Sequence, residues 1–145
     1  MSESFSHLGI CVSDLERSLR FYCEGLGFER AEGYDLDDRM LPGLDRALEV
    51  AGPVRMRSQM ITHGEVKIEL LHFACPLPTG APAIRRNELG FTHVSFIVDD
   101  LEDGVERLVA LGGTRLPDTR AVLGYDVIFV ADPDGTRVEL MARAS

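Results

Sequence analysis

The stretch LGFTHVSFIVDDLEDGVERL, residues 89–108, predicts a strand, an acidic turn and a helix in succession. Large apolar side chains alternate with other residues over 91–98, so the two sets face opposite sides of a sheet, and His93 lies on the less apolar side. Asp99 then begins a turn of the kind that caps a helix. The helix carries an apolar stripe at positions i, i+4 and i+7, namely Leu101, Val105 and Leu108.

The same unit occurs near the start of the chain. SHLGICV, residues 6–12, alternates in the same way and leads into a second helix. When this first segment is aligned without gaps to the later one, His7 aligns with His93, the tripeptide D-L-E aligns with its copy, and Gly27 aligns with Gly113. A match held over a strand and a helix predicts an internal repeat.

Three further strands follow each helix, and the closing strands are similar, with KIEL at 67–70 and RVEL at 137–140. The pattern predicts an α+β fold of tandem βαβββ repeats, forming a cupped mixed sheet with helices on its outer face. We expect a single domain over residues 1–145, with halves 1–74 and 90–145 joined by a proline-containing linker, 75–89. Residues 37–52 are interpreted as an insertion over the edge of the site, with a short helix over 44–50.

Composition excludes several classes of partner. The net charge of -9 argues against nucleic acid or an anionic membrane surface as the main partner. No apolar run is long enough for a transmembrane helix, and the opening MSESFSHLG lacks the features of an export signal. Three cysteines without C-x-x-C spacing favour a reducing cytoplasm.

Strand alternation predicts a metal site. On the face opposite the large apolar residues, each half presents one histidine and one glutamate: His7, Glu69, His93 and Glu139. Two imidazoles and two carboxylates suit a divalent transition metal such as Ni, Zn, Co, Mn or Fe. A single strand histidine is more often structural and a single glutamate more often solvated, but equivalent placement in two repeats favours ligation.

The same alternation predicts the walls of a cup around the ion. Residues expected to line it are Cys11, Leu71, Phe73, Ser95, Ile97 and Met141. Arg55, Arg57 and Gln59 either face this cup and hold an anionic substrate, or are solvated residues on an edge strand. His63, in a turn, and His72, with the wrong parity, are predicted to lie outside the ligand set. Arg85–Arg86 is predicted to be solvated.

The chain resembles the vicinal oxygen chelate superfamily, which includes glyoxalase I, methylmalonyl-CoA epimerase, extradiol dioxygenases, fosfomycin-resistance enzymes and bleomycin-binding proteins. The resemblance lies in the tandem halves and in three segments: SHLGICVSDLERSLRFYCEGLGF, THVSFIVDDLEDGVERL and VADPDGTRVEL. It covers nearly the whole chain, and its members share a fold and a site position while their reactions differ.

The resemblance implies a function. The four residues fall on the family's metal-ligand positions, as in bacterial glyoxalase I, where the metal stabilises an enediolate and a ligand glutamate moves the proton. Glu139 or Glu69 would be that base. Cys11 and Phe73 replace the arginine and asparagine that serve glutathione in bacterial glyoxalases, which implies a reaction that does not depend on glutathione.

Other activities follow from the same resemblance. VKIELLH, residues 66–72, is similar to a strand of methylmalonyl-CoA epimerases and implies an epimerase acting on an acyl-thioester. A metal-free module that binds small molecules is a second alternative. An Fe(II) extradiol-type dioxygenase is a third, although its ligand set lacks a counterpart of Glu69. Relatives commonly pair, so we expect a homodimer, with the site formed within one chain or between two.

Overall fold

The structure is a computed structural model, and it describes residues 2–144. Each sequence half contains strands and helices in the expected order. The first half comprises β1 (Leu8–Cys11), α1 (Leu15–Leu19), a π-helical continuation of α1 (Arg20–Gly25, the π segment), β2 (Glu29–Asp37), α2 (Leu44–Leu48), β3 (Arg55–His63) and β4 (Val66–Cys75). The second half comprises β5 (Val94–Ile97), α3 (Leu101–Ala110), β6 (Thr114–Val122), β7 (Tyr125–Ala131) and β8 (Arg137–Arg143).

The strands form two four-stranded mixed sheets of identical topology. The first has the order β1-β4-β3-β2 and the second β5-β8-β7-β6. In each sheet the first strand pairs in parallel with the last, and the remaining pairs are antiparallel. This confirms the predicted α+β class and its modular βαβββ units. α2 also begins at the predicted residue within the 37–52 insertion.

The chain divides into two compact units. Unit 1 contains the residues up to Glu16 together with Gly27–Thr79, and unit 2 contains Arg17–Leu26 together with the residues from Gly80 onward. The end of α1 and the π segment thus belong to the unit that contains β5–β8. The boundaries of the units therefore differ from those of the predicted halves, 1–74 and 90–145, and the single-domain division stays a prediction.

In unit 2 the π segment lies close to α3 because residue 25 is a glycine. A Cβ atom at Gly25 would lie 2.8 Å from Leu108 Cδ2 and 3.2 Å from Leu111 Cδ1. Arg107 Nε donates a hydrogen bond to the Gly25 carbonyl at 3.0 Å. Phe21 and Leu108 are fully buried there, so this contact is part of the core of unit 2.

The turn between β7 and β8 is built around a buried carboxylate. Asp132 Oδ1 accepts hydrogen bonds from the backbone N–H groups of Asp134 and Thr136, both at 2.9 Å. Asp132 Oδ2 accepts a hydrogen bond from the Tyr22 hydroxyl at 2.7 Å. Burial raises the pKa of the Asp132 carboxyl although these donors act to lower it, and burial, followed by the charge of Asp132, raises the pKa of Tyr22. The turn thus ties β8 to the π segment.

No helix within residues 2–144 combines the length and the apolar character needed to cross a membrane.

Candidate functional site

Unit 1 holds a histidine–glutamate pair where β1 lies beside β4. His7 directly precedes β1, and its Nε2 atom lies 3.4 Å from Glu69 Oε1. The Ser6 hydroxyl is hydrogen-bonded to His7 Nδ1 at 2.8 Å, which leaves Nε2 directed at the carboxylate. Ser58 Oγ donates to Glu69 Oε2 at 2.5 Å, so a hydroxyl from β3 holds the second carboxylate oxygen.

Unit 2 holds the corresponding pair where β5 lies beside β8. His93 Nε2 lies 3.8 Å from Glu139 Oε1. The Thr92 hydroxyl is hydrogen-bonded to His93 Nδ1 at 2.8 Å, as Ser6 is to its histidine. Ser95 Oγ donates to Glu139 Oε1 at 2.7 Å. Both pairs are partly open to solvent. The histidine and glutamate side chains are 34% and 20% exposed in unit 1, and 32% and 19% exposed in unit 2.

The second pair has additional support from an aromatic ring and an arginine. The Phe129 ring packs edge-on against His93, with centroids 5.2 Å apart. Arg86 Cζ lies 5.2 Å from the centroid of the Phe129 ring, and its guanidinium donates to the carbonyls of Thr92 at 2.8 Å and Ala83 at 3.0 Å. Burial lowers the pKa of Arg86. The prediction that Arg86 is a solvated linker residue is therefore wrong, because the linker folds it back onto β7.

The donor atoms suit a divalent transition metal. Imidazole nitrogen and carboxylate oxygen are ligands that Ni, Zn, Co, Mn and Fe accept, and a histidine held at Nδ1 is oriented to ligate through Nε2. Within either unit, the described residues bring together one such pair and no group of three or more His, Cys, Asp and Glu side chains suited to an ion. The ligation of one ion by His7, Glu69, His93 and Glu139 stays a prediction.

Six of the predicted cup residues lie on the same sheet faces as the glutamates. Strand register pairs Gly9 with Glu69 and Cys11 with Leu71, which places these residues and Phe73 on one face of unit 1. In unit 2 the register pairs Ser95 with Glu139 and Ile97 with Met141. Their roles in substrate binding stay predictions.

The predicted orientation of Arg57 and Gln59 is wrong, whereas Arg55 pairs with Cys75 beyond a register shift and its role stays a prediction. Register pairs Met60 with Glu69, so the even-numbered residues Ser58 and Met60 share the face of that carboxylate, while Gln59 and Arg57 lie on the opposite face. The alternative, an edge strand, is also wrong, because β3 lies between β2 and β4.

A bulge in β2 provides hydrogen-bond acceptors for the Gln59 side chain. The pairing of β2 with β3 shifts between Arg30 and Gly33. The carbonyls of Ala31 and Glu32, which lie in the bulge, accept hydrogen bonds from the buried amide of Gln59 at 2.9 and 3.3 Å. A Cβ atom at Gly33 would collide with Gln59 Oε1, so a larger residue at this position would require the Gln59 side chain to move.

Several residues around the pairs were missed by sequence reasoning. A hydroxyl residue directly before each histidine, in S-H and T-H, is a signal that the repeat alignment already contained. Ser58 and Phe129 carry no such signal, because their contacts depend on strand register. The residues that hold the pairs are Ser6, Ser58, Arg86, Thr92, Ser95 and Phe129.

Known proteins with similar sequences include enzymes. The chain is 29% identical over 144 residues to a lactoylglutathione lyase of Pseudomonas aeruginosa, which covers 94% of this chain and 81% of the relative. It is also 29% identical over 148 residues to a 2-epi-5-epi-valiolone epimerase of an Actinomyces species, covering 93% of this chain and 76% of the relative.

Solved structures of similar fold are also known. A glyoxalase family protein of Bacillus cereus superimposes with a TM-score of 0.80 at 20% identity, covering 100% of this chain and 99% of the other. Residues 4–140 match the family described as the Glyoxalase/Bleomycin resistance protein/Dioxygenase superfamily. With that match over nearly its whole length, the chain belongs to the Glyoxalase/Bleomycin resistance protein/Dioxygenase superfamily.

Proposed function

We propose that this protein is a divalent-metal-dependent lyase or isomerase of the glyoxalase I type, which transfers a proton next to a carbonyl of a small-molecule substrate. The observation that carries the proposal is the duplicated pair, in which Nδ1 of each histidine is held by a hydroxyl and Nε2 faces a glutamate. The likeness to a lactoylglutathione lyase and to an epimerase supports the same class of chemistry.

The ion would be held by His7, Glu69, His93 and Glu139. Ni, Zn, Co, Mn and Fe all accept this mixture of imidazole and carboxylate ligands. When bound, such an ion supplies Lewis acidity, which lowers the pKa of a C–H bond beside a carbonyl. The proton itself would be moved by a side chain of the protein.

Glu139 is the better candidate for the base that moves the proton. Its Oε1 atom faces His93 and also accepts the Ser95 hydrogen bond, so Oε2 is left without a partner among residues 2–144. In Glu69 both oxygens are engaged, Oε1 beside His7 and Oε2 by Ser58. A carboxylate oxygen without a hydrogen-bond donor accepts a proton from carbon more readily. Glu139 Oε2 would take the proton and return it to the neighbouring carbon.

The substrate is proposed to be something other than a glutathione adduct. Cys11 and Phe73 lie on the face of Glu69 and offer no cationic or amide group there to a peptide thiol. Epimerisation is the second candidate, supported by the relative named an epimerase. In that reaction the carbon that loses the proton is protonated again on its opposite face, so Glu139 would remove the proton and a second group on the other face of the substrate would supply one.

The test is a metal analysis of the purified protein joined to a proton-exchange assay. We expect one equivalent of ion per chain and catalysed exchange of the C–H proton of 2-hydroxy ketones or 2-oxoaldehyde adducts with deuterium oxide. His7→Ala should lower metal affinity by more than about 100-fold, because loss of a supporting residue alone typically costs 10–100-fold. His63→Ala, in the same unit but outside the pair, is the matched control and should retain the ion.

Full metal content in His7→Ala and Glu139→Gln would overturn the proposal. Purified protein with no affinity for Ni, Co, Mn or Zn, but with saturable binding of a small molecule, would favour the binding-module alternative. Oxygen uptake with catechols and Fe(II) would favour the dioxygenase alternative.

We also propose a homodimer, as often found among relatives of this fold. Mixing chains that carry His7→Ala with chains that carry His93→Ala tests where the ion is held. If each ion takes its two pairs from different chains, mixing regenerates intact sites and restores metal binding. If each ion takes both pairs from one chain, the mixture stays inactive. Light scattering of the separate variants checks that both still pair.

A further inference from the structure

The reverse face of the unit 1 sheet contains a cavity with charged walls. Its volume is about 300 Å³. The residues that line it are Leu15, Asp35, Arg55, Met56, Arg57, His72 and Ala74. Arg57 is paired with His72 in strand register and lies on the face opposite Glu69, so the cavity is separate from the His7–Glu69 pair.

Strand register brings three of the polar side chains into one row. Asp35 on β2 is the partner of Arg57 on β3, which is in turn the partner of His72 on β4. Arg57 Nη1 lies 3.1 Å from Asp35 Oδ1, and Arg57 Nη2 donates to Gln59 Oε1 at 3.0 Å. The single carboxylate in the cavity wall is therefore already matched by one of its two arginines.

Arg55 is the positive charge that remains. No hydrogen bond or ion pair joins its side chain to any residue within 2–144. Its cross-strand neighbour in register is Asp37, but Asp37 Oδ1 accepts the backbone N–H groups of Arg39 and Met40, at 3.0 and 2.8 Å, and forms no ion pair with Arg55. His72 also has no hydrogen-bond partner among the described residues. The cavity wall therefore contains two side chains, Arg55 and His72, whose N–H groups donate no hydrogen bond to any described residue.

The other walls are apolar. Met56 and Leu15 are buried, with 4% and 9% of their surface exposed. A ligand that fits would pair an oxyanion with a short apolar portion, because guanidinium groups bind carboxylate and phosphate through two parallel hydrogen bonds. The volume lies at the lower end of the range for ligand pockets, roughly 300–1,000 Å³, and restricts the ligand to a small molecule.

We propose that this cavity is a binding site for a small organic oxyanion, with Arg55 as its principal anchor and His72 as a second donor. The site is independent of the proposed metal pair. Its ligand is a carboxylate or a phosphate monoester, which share the chemistry that Arg55 recognises.

The test is a titration of the ¹⁵N-labelled protein with benzoate and, separately, with phenyl phosphate, followed by NMR. We expect saturable shifts in residues of the cavity wall with dissociation constants in the millimolar range or below. The probe that binds more tightly shows whether the site prefers a carboxylate or a phosphate monoester. Arg55→Ala should weaken binding by about tenfold or more, and Arg55→Lys by less, because lysine keeps the charge and loses the planar fork.

Arg30→Ala is the matched control, because it removes one arginine from a neighbouring strand of the same sheet. Arg30 pairs with Glu16 at 3.7 Å and does not line the cavity, so its loss should leave probe affinity within about twofold. Metal affinity should be unchanged in Arg55→Ala. Absence of saturation by both probes, equal weakening in Arg30→Ala and Arg55→Ala, or shifts confined to the His7–Glu69 face would each overturn the proposal.

Discussion

In unit 1 the His7 imidazole lies 3.4 Å from Glu69, and in unit 2 the His93 imidazole lies 3.8 Å from Glu139. Each Nδ1 atom is bound by the hydroxyl of the preceding residue, and each glutamate accepts a hydrogen bond from a serine. The serines come from different places, however. Ser58 lies on a neighbouring strand, whereas Ser95 lies on the strand that its histidine precedes.

The two halves therefore share the proposed ligand residues but differ in the residues that support them. The histidine, its hydroxyl neighbour and the glutamate recur, which is expected if a shared ion requires them. The surrounding residues differ. Both oxygens of Glu69 are engaged, by His7 and by Ser58. In the second pair, Phe129 packs against His93 and Arg86 packs on Phe129. Equal donors with unequal supports are consistent with the proposal that both halves would ligate the ion while Glu139 alone acts as the base.

The largest expected difference between the halves is in catalysis. Glu139→Gln should lower the rate of proton exchange by about 100-fold or more, the usual effect of losing a general base. Glu69→Gln should lower it less at saturating metal, because its oxygens are already held by other groups. Rates measured with metal content matched by direct analysis separate loss of the base from loss of the ion. Equal losses in the two variants would break the proposed division of roles.

The second prediction concerns the turns that lead into β4 and β8. The turn before β8 has a buried carboxylate bound by Tyr22, while the turn before β4 is a short one at Gly64. Tyr22→Phe should lower the free energy of unfolding by about 1–3 kcal/mol, because it leaves a buried acceptor unsatisfied. Urea unfolding measures this change. Glu65→Ala, in the exposed turn before β4, is the comparison variant and should change the stability by less than about 0.5 kcal/mol.

The same carboxylate gives a pH dependence with a defined sign. Because folding raises the pKa of Asp132, the folded chain keeps this proton to higher pH than the unfolded chain, so stability falls as pH rises between the two pKa values. Tyr22→Phe removes a donor that lowers this pKa, so the fall should extend to higher pH. Asp132→Asn should abolish this part of the pH profile, and an unchanged profile would contradict the assignment.

The smallest expected effect concerns Arg86, which only the second pair has. Arg86 binds the Thr92 carbonyl and packs on Phe129, and both of those residues contact His93. Arg86→Ala should weaken metal affinity by up to about tenfold, the lower end for residues that orient a ligand. Arg86→Lys should recover part of the loss. Arg85→Ala, which removes a neighbouring charge, is the control for a general electrostatic effect.

Sequence periodicity was sufficient for the repeat, the βαβββ order and the sheet face of Glu69 and Glu139. It failed at Arg57 and Gln59, where alternation permits either face and the register of three strands, with a bulge in β2, decides between them. It also failed at Arg86, whose partners are carbonyls of a folded linker. The contact between Tyr22 and Asp132 joins residues 110 positions apart, and local patterns carry no information on such a pair.

The assignment of Arg17–Leu26 to unit 2 has a consequence for anyone who wishes to transplant or shorten this protein. A fragment cut in the linker would contain β5–β8 and α3 but would leave the Asp132 carboxylate without its tyrosine and Leu108 without the backbone that packs against it. The sequence repeat and the compact unit therefore differ by the ten helical residues Arg17–Leu26. A portable second module must carry that helix with it, through circular permutation or as a separate peptide.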